Sequence, residues 1–284
     1  MGAADGAVYT KQTSKVGKLD VTYFLGGRLE AIPPVVYLHG MGASGRWESF
    51  HMAMGTVTLV YAPQLPAWPE GEPPLGVSSI KDYAHLIAQF LDIFDVGTAT
   101  IAGHSIGGWI AQYLATEQPE RFTQLILADP LGLDIPPSPS SNLSTLDDEA
   151  FAKGIFGRLG LIATADPTGF GAEWENVRQG PEFARQNKGR AMFAKLTGNT
   201  FVDAALTRAL ETLTARTLLV WGAVDGLAPV EQGTILQRTM PNAVLNVIDS
   251  CGHLPMAEKP ESFNRILRNF LIGLDEPIAG VAQI

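Results

Sequence analysis

Short apolar runs of strand length alternate with helical patterns along the chain. The runs lie at residues 19–25, 35–38, 57–61, 98–102, 125–127, 218–221 and 244–248. Between them, apolar side chains recur every three or four residues, as they do on the buried face of a helix. Strand–helix alternation of this kind predicts a mostly parallel sheet covered by helices on both faces.

Two of the helical patterns carry clear start signals. The first begins at Ser79, with Asp82 three residues later in a sequence that resembles a capping box. The last begins at Pro260, which suits the first turn of a helix. Their apolar faces consist of Tyr83, Leu86, Ile87, Phe90, Leu91 and Phe94 in the first helix, and of Phe263, Ile266, Leu267, Phe270 and Leu271 in the last.

The alternation stops between about residue 131 and about residue 207. This stretch opens with a segment rich in Pro and Ser at 135–141 and continues with helical patterns and no convincing strand. A helical insertion between two strands of the sheet is the simplest interpretation, and a disordered linker is the alternative. The predicted organisation is therefore a core domain formed by residues 1–130 and 208–284, with an insertion at 131–207.

A Gly-x-Ser-x-Gly sequence, Gly103 to Gly107, joins the fourth of these strands to a helical pattern. A serine on a sharp strand-to-helix turn projects its hydroxyl above the sheet, and its crowded neighbours must lack bulky side chains. The amides at the start of the following helix then point to where negative charge develops. The pattern predicts that Ser105 is a nucleophile; the alternative is an ordinary glycine-rich turn.

A serine hydroxyl needs a base to accept its proton and an acid to orient that base. His253 is the only histidine after Ser105, and it follows the strand at 244–248. Asp225 follows the strand at 218–221, so it is expected at the same carboxyl edge of the sheet. Asp129 ends the strand at 125–127 and competes for the role of the acid. Asp225 is favoured because it directly precedes the strand that leads to the histidine.

A second glycine-rich turn, Gly40 to Gly45, follows the strand at 35–38. Its spacing fits the Gly-x-Gly-x-x-Gly fingerprint of dinucleotide-binding proteins. Such a site requires an acid at the end of the next strand, and that strand ends instead in a sequence that leads to Gln64. In a hydrolase the same turn lets the backbone approach the substrate, and the amides of Met41 and Ile106 could bind an oxyanion.

Composition limits the other functional classes. The 284 residues are 46% hydrophobic and carry a formal net charge of −9, without a run of basic residues. Binding to nucleic acid or to an anionic membrane requires clustered Lys and Arg, so neither is expected. The single cysteine, Cys251, cannot form an internal disulfide, and no apolar stretch is long enough to cross a bilayer. A cytoplasmic protein without a metal or cofactor is expected.

The combination of motifs resembles the α/β-hydrolase superfamily, and within it the esterase-like members with a helical cap. The resemblance rests on His39-Gly40, on 103–107, on 222–225, and on Gly252-His253 with the residues that follow them. It implies the α/β-hydrolase fold, with a mostly parallel eight-stranded sheet flanked by helices and a cap at 131–207. It also implies the site residues: Ser105 as nucleophile, His253 as base, Asp225 as acid, Met41 and Ile106 as oxyanion donors, and Gly40, His104, Trp68 and Leu254 near the substrate.

One turn departs from the pattern of these relatives. They commonly carry Asp-Leu-Pro-Gly-His-Gly after the strand that corresponds to 57–61, whereas this chain has Gln-Leu-Pro-Ala-Trp-Pro at 64–69. The turn is expected beside the active site, so close analogies about the substrate do not transfer. Trp68 either lines the pocket or packs against its neighbours.

The resemblance implies a serine hydrolase, a monomer or homodimer, that cleaves an ester of a small and largely apolar molecule. Apolar side chains in the insertion suggest that it lines the pocket with an apolar surface, although packing within the insertion explains most of them equally well. Three alternatives remain open: cleavage of a carbon–carbon bond in diketones or ring-fission products, cleavage of amides or lactones, and a ligand-binding receptor with the same fold.

Overall fold

A computed structural model describes residues 9–29, 32–42, 45–69, 72–136, 146–165, 167–198, 202–274 and 276–283. Most of the Pro/Ser-rich segment at 135–141 and two residues of the turn between Gly40 and Gly45 lie outside these ranges. The strands are β1 (Tyr9–Val16), β2 (Leu19–Gly27), β3 (Val35–Leu38), β4 (Leu59–Pro63), β5 (Ala99–His104), β6 (Phe122–Ala128), β7 (Arg216–Gly222), β8 (Ala243–Ile248) and β9 (Val281–Gln283).

The strands form one mixed sheet in the order β1-β2-β4-β3-β5-β6-β7-β8-β9. The strands from β4 to β8 in this order are parallel, while β1, β2 and β9 pair antiparallel at the two edges. The mostly parallel sheet is therefore confirmed, and the described residues form nine strands where eight were expected. The pattern of apolar residues missed β1 because most of its side chains are exposed, and an exposed strand has no apolar alternation.

The helices cover both faces of the sheet, and each face has its own apolar core. The patterned helix after Ser79 is confirmed, and the Ser79 hydroxyl accepts a hydrogen bond from the Asp82 amide at 3.2 Å. The helices are α1 (Ser49–Gly55), α2 (Ile80–Ile93), α3 (Ile106–Glu117), α4 (Asp148–Ile155), α5 (Gly157–Ala165), α6 (Pro167–Gln179), α7 (Pro181–Thr197), α8 (Ala204–Leu210), α9 (Val230–Thr239), α10 (Pro255–Glu258) and α11 (Pro260–Ile272).

Five of these helices, α4 to α8, lie between β6 and β7 in the sequence. The last of them, α8, packs beside α3, and the Tyr113 hydroxyl donates to the Asp203 carboxylate at its start. The others include α7, whose Gly189 lies against the turn after β3. Within the described part of the chain, no helix is long and apolar enough to span a membrane.

Candidate active site

Ser105 lies on the tight turn between β5 and α3, at the carboxyl edge of the sheet. Its backbone angles, φ 55° and ψ −117°, fall in a region that side chains rarely adopt. A Cβ atom on Gly103 or on Gly107 would come within 2.2 Å of a backbone carbonyl oxygen. Only glycine fits at these two positions, which explains the motif in steric terms.

Three side chains from separate loops form a continuous hydrogen-bonded chain at this edge. The Ser105 Oγ–H lies 2.9 Å from the acceptor Nε2 of His253. The Nδ1–H of His253 donates to Asp225 Oδ2 at 2.8 Å. The other Asp225 oxygen, Oδ1, accepts from the amides of Leu227 and Ala228 at 2.8 and 3.0 Å. The three residues are each less than a tenth exposed, so the chain of bonds is shielded from water.

Asp129 lies beside this chain of hydrogen bonds but is not one of its members. Its Oδ1 accepts from the Gly222 amide at 2.9 Å, and its side chain is completely buried. Burial, together with the negative charge of Asp225, raises the pKa of Asp129 well above its usual value. Of the two acids proposed from the sequence, Asp225 is the one that binds the Nδ1 atom of His253.

The turn after β3 lies against the nucleophile. A Cβ atom built on Gly40 would lie 3.4 Å from the Cβ of Ser105, so the next residue, Met41, is held close to the nucleophile. Ile106 opens α3 directly after Ser105. Helix starts present free amides and a partial positive charge. The two sequence-predicted oxyanion donors are thus the residue after Ser105 and the residue after Gly40, which itself lies against the Ser105 side chain.

Trp68 packs under this turn. Its indole Nε1–H donates to the Met41 carbonyl at 2.8 Å, and its ring is 7% exposed. A Cβ on Gly189 of α7 would lie 2.1 Å from the same carbonyl oxygen. The Met41 carbonyl therefore contacts both the tryptophan and a helix of the insertion.

Two buried histidines brace the same edge of the sheet. His104 donates its Nε2–H to the backbone carbonyl of His253 at 2.7 Å, which ties the histidine loop to the nucleophile turn. His39 accepts from the Leu65 amide through Nε2 and donates from Nδ1 to the Gly40 carbonyl. Burial lowers the pKa of His39 to about 4 and that of His104 to about 3. Both rings are therefore neutral at pH 7.

A cavity of about 280 Å³ opens beside the nucleophile turn. Its wall includes Gly40, His104 and Leu254, three of the four residues expected near the substrate, while Trp68 is not part of the wall. The insertion contributes Glu182, Arg185 and Gln186 from α7. The apolar residues of the insertion, such as Phe151 and Phe193, pack in the core instead. Sequence reasoning missed the polar wall because helical periodicity in α7 gives no sign of which face meets the cavity.

Hydrogen bonds to backbone groups join the helical insertion to the loop that carries Gly252 and His253. The His253 amide donates to the Ile155 carbonyl at the end of α4, at 2.9 Å. The Glu258 carboxylate accepts from the amides of Gly157, Arg158 and Gly252, and so joins the start of α5 to the loop. These bonds fix the position of the base relative to the insertion.

The catalytic cluster also contains groups that can bind a metal ion. In the described ranges, one group of acids and histidines is compact enough to hold an ion, and it consists of Asp129, Asp225 and His253. The ring of His253 is already bonded at both nitrogens, to Ser105 and to Asp225. A metal bound to either ring nitrogen would displace one of these two hydrogen bonds.

A known protein family and several known hydrolases resemble this chain in sequence. A family model described as "Alpha/beta hydrolase family" matches residues 35–266, which is most of the chain. A 2-hydroxy-6-oxononadienedioate/2-hydroxy-6-oxononatrienedioate hydrolase of Pseudomonas putida is 27% identical over 93% of this chain and 99% of its own. A 2-hydroxy-6-oxo-6-phenylhexa-2,4-dienoate hydrolase of Comamonas testosteroni is 27% identical over 92% of this chain and 96% of its own.

Solved structures share this fold. A carboxylesterase of Bacillus subtilis superposes with a TM-score of 0.69, at 19% identity, over 94% of this chain and 92% of its own. At that level of identity the likeness concerns the fold alone. The relatives therefore include hydrolases named for 2-hydroxy-6-oxo substrates, and the structural neighbours include a carboxylesterase.

Proposed function

The chain belongs to the alpha/beta hydrolase family, and from this premise we propose that it cleaves a carboxylic ester through an acyl-enzyme on Ser105. The observation that carries the proposal is the unbroken chain of hydrogen bonds from the Ser105 Oγ through His253 to Asp225, with bonds of 2.9 and 2.8 Å. A receptor that only binds a ligand has no need for a nucleophile joined to an oriented base.

In the proposed reaction, His253 takes the hydroxyl proton as the Ser105 Oγ attacks the ester carbonyl carbon. The carbonyl oxygen becomes an oxyanion, which accepts hydrogen bonds from the amides of Met41 and Ile106. His253 then gives its proton to the departing alcohol as the ester bond breaks. Water, deprotonated by His253, attacks the acyl-enzyme and releases the acid, and Ser105 regains its proton.

Asp225 supports this cycle electrostatically. When His253 takes up the proton, the ring becomes positively charged in a buried site, where an unpaired charge is costly. The Asp225 carboxylate at 2.8 Å compensates that charge and fixes the tautomer whose Nε2 faces Ser105. The insertion, α7 in particular, forms the cap over the cavity in this proposal.

The test combines turnover with covalent labelling. The wild type and Ser105→Ala would be assayed on p-nitrophenyl esters and treated with a fluorophosphonate probe. Ser105→Ala is expected to lose about four to six decades in turnover and all labelling. The exposed Ser78 provides the control, because Ser78→Ala should keep both. Well-folded wild type that does not label, or Ser105→Ala that keeps most of its turnover, would overturn the proposal.

A carbon–carbon hydrolase is the second candidate. Two relatives that match nearly the whole chain are named as hydrolases of 2-hydroxy-6-oxo dienoates. The cavity wall contains Arg46 and Arg185, which suit a substrate with carboxylates, but Arg185 is paired with Glu182, and Glu48 is part of the same wall. A vinylogous diketo acid offered beside the ester panel separates the two: faster turnover of the diketo acid than of every ester would establish the second candidate.

A further inference from the structure

Asp129 is a buried acid that the proposed mechanism does not use. It follows β6, where its backbone takes a φ of 43° that side chains seldom adopt. Its own amide donates to the Val220 carbonyl at 3.0 Å, and its Oδ1 accepts from the Gly222 amide at 2.9 Å. Both ends of the residue are thus fixed to β7, the strand that leads to Asp225.

The carboxyl group of Asp129 lies beside that of Asp225. One oxygen from each acid and one ring nitrogen of His253 all lie within 4.8 Å of one another. Within the part of the chain that the structure describes, Asp129 Oδ2 has no donor to bond with. An acid oxygen in that position gains a partner only if it carries a proton itself.

Two adjacent buried carboxyl groups cannot both be ionised, because the charges repel each other and neither is hydrated. The proton is expected on the carboxyl group whose anion accepts fewer stabilising hydrogen bonds. Asp225 accepts from three donors, namely two amides and the Nδ1–H of His253, whereas Asp129 accepts from the Gly222 amide alone. Besides Asp225, the charged group that acts on Asp129 is Glu258, an acid that disfavours an Asp129 anion, while the nearby cation Lys259 acts on Cys251.

We propose that Asp129 is a positioning residue that stays protonated at neutral pH and donates an Oδ2–H hydrogen bond to the Asp225 carboxylate. Asp225 is then held by Asp129 on one side and by its two amides on the other, so its Oδ2 stays aimed at His253. The site also keeps a single negative charge to balance the protonated base. This inference rests on the proposed hydrolase function.

The first test separates a neutral Asp129 from a charged one through the pH profile. Asp129→Asn keeps the shape, the acceptor for Gly222 and a donor for Asp225, but can never be charged. If Asp129 is neutral in the wild type, this variant should keep turnover within about threefold and leave the midpoint of the acid limb of kcat/KM unchanged. A charged Asp129 would favour protonation of His253, so its removal would move that midpoint down by a pH unit or more and overturn the proposal.

A second variant tests whether the hydrogen bond itself matters. Asp129→Leu fills similar space without a donor or an acceptor, so it should lower kcat by tenfold or more while KM changes little. The Asn variant should restore kcat, which a purely space-filling role would not require. Equal losses in both variants, or kcat unaffected in the Leu variant, would contradict a positioning role.

A third readout does not depend on activity. Infrared difference spectra at neutral pH should show a protonated carboxylic acid band in the wild type that disappears in Asp129→Asn. The matched control is Asp134→Asn, since Asp134 is exposed and should leave the band in place. Absence of the band in the wild type overturns the proposal even if the enzyme is active. If the band is present but the ester and labelling assays fail, the fault lies with the proposed function and not with the state of Asp129.

Discussion

The indole of Trp68 donates a hydrogen bond to the carbonyl of Met41 at 2.8 Å. Trp68 stands in the turn at 64–69, where the chain departs from the sequence that its relatives commonly carry. The bond reaches the residue whose amide is proposed to bind the oxyanion. The changed sequence therefore places a hydrogen-bond donor against the turn at Gly40 to Gly45, here called the oxyanion loop. The indole of Trp68 contacts that loop and is not part of the cavity wall.

Trp68→Phe tests this bond. Phenylalanine keeps most of the buried ring but lacks the N–H, so the Met41 peptide should lose its fixed orientation. We expect kcat to fall about five- to tenfold with little change in KM, since one hydrogen bond contributes about 1 kcal/mol. Steady-state kinetics on the best ester measure this split. Tyr83→Phe is the control, because it removes a nearby bond to the Pro66 carbonyl instead; an equal loss of kcat there would contradict a specific role for Trp68.

Gly189→Ala tests the contact between α7 and the oxyanion loop. The new methyl group would lie 2.1 Å from the Met41 carbonyl oxygen, so either the helix or the loop must move. We expect lower kcat and a lower melting temperature. Gly171→Ala is a matched control on α6, where nothing lies within 4 Å of the added atom. It should be neutral or stabilise the helix by up to about 1 kcal/mol. If both variants behave alike, α7 does not constrain the loop.

The buried histidines should make the fold sensitive to acid. Burial lowers the pKa of His39 to about 4 and those of His51 and His104 to about 3, against about 6.5 in the unfolded chain. Below pH 6.5 the unfolded chain therefore binds more protons than the folded protein. Stability is lost as the pH falls from 6.5 towards 4, by up to about 1.4 kcal/mol per pH unit for each histidine.

Urea unfolding at several pH values measures this effect. His51→Gln should flatten the dependence of the free energy of unfolding on pH between 4 and 6.5, because one buried titrating group is gone. His85→Gln replaces an exposed histidine and should leave the slope unchanged. A slope in this range that is as steep in His51→Gln as in the wild type would show that the burial of this ring does not contribute to the acid sensitivity.

Asp129 should act on stability in the opposite direction. Its pKa is raised in the folded protein by burial and by the charge of Asp225, so the folded state binds more protons than the unfolded one above about pH 4. Its contribution is present below that pH and is lost as the pH rises towards its folded pKa. Asp129→Asn should therefore gain stability relative to the wild type from pH 5 to pH 8, measured by urea unfolding. A constant difference over that range would contradict the raised pKa.

The sequence by itself determined the features that depend on local chemistry. Ser105 could be found because its turn needs glycines at fixed spacing, and the apolar faces of α2 and α11 because burial repeats with the helical period. His253 was found because no other histidine follows the nucleophile. The same pattern of apolar residues did not predict β1, because its side chains are mostly exposed and its pairing with β2 depends on backbone hydrogen bonds.

The tertiary structure decided what depends on the meeting of distant loops. Asp129 and Asp225 both end strands at the same edge of the sheet, and their sequence positions alone do not show which one reaches His253. The parallel pairing of β6 with β7 places Asp129 at the Gly222 amide, whereas Asp225 accepts the hydrogen bond from His253. The partner of Trp68 and the polar wall from α7 were equally hidden, because each is a contact between segments far apart in the chain, and no local pattern records such a contact.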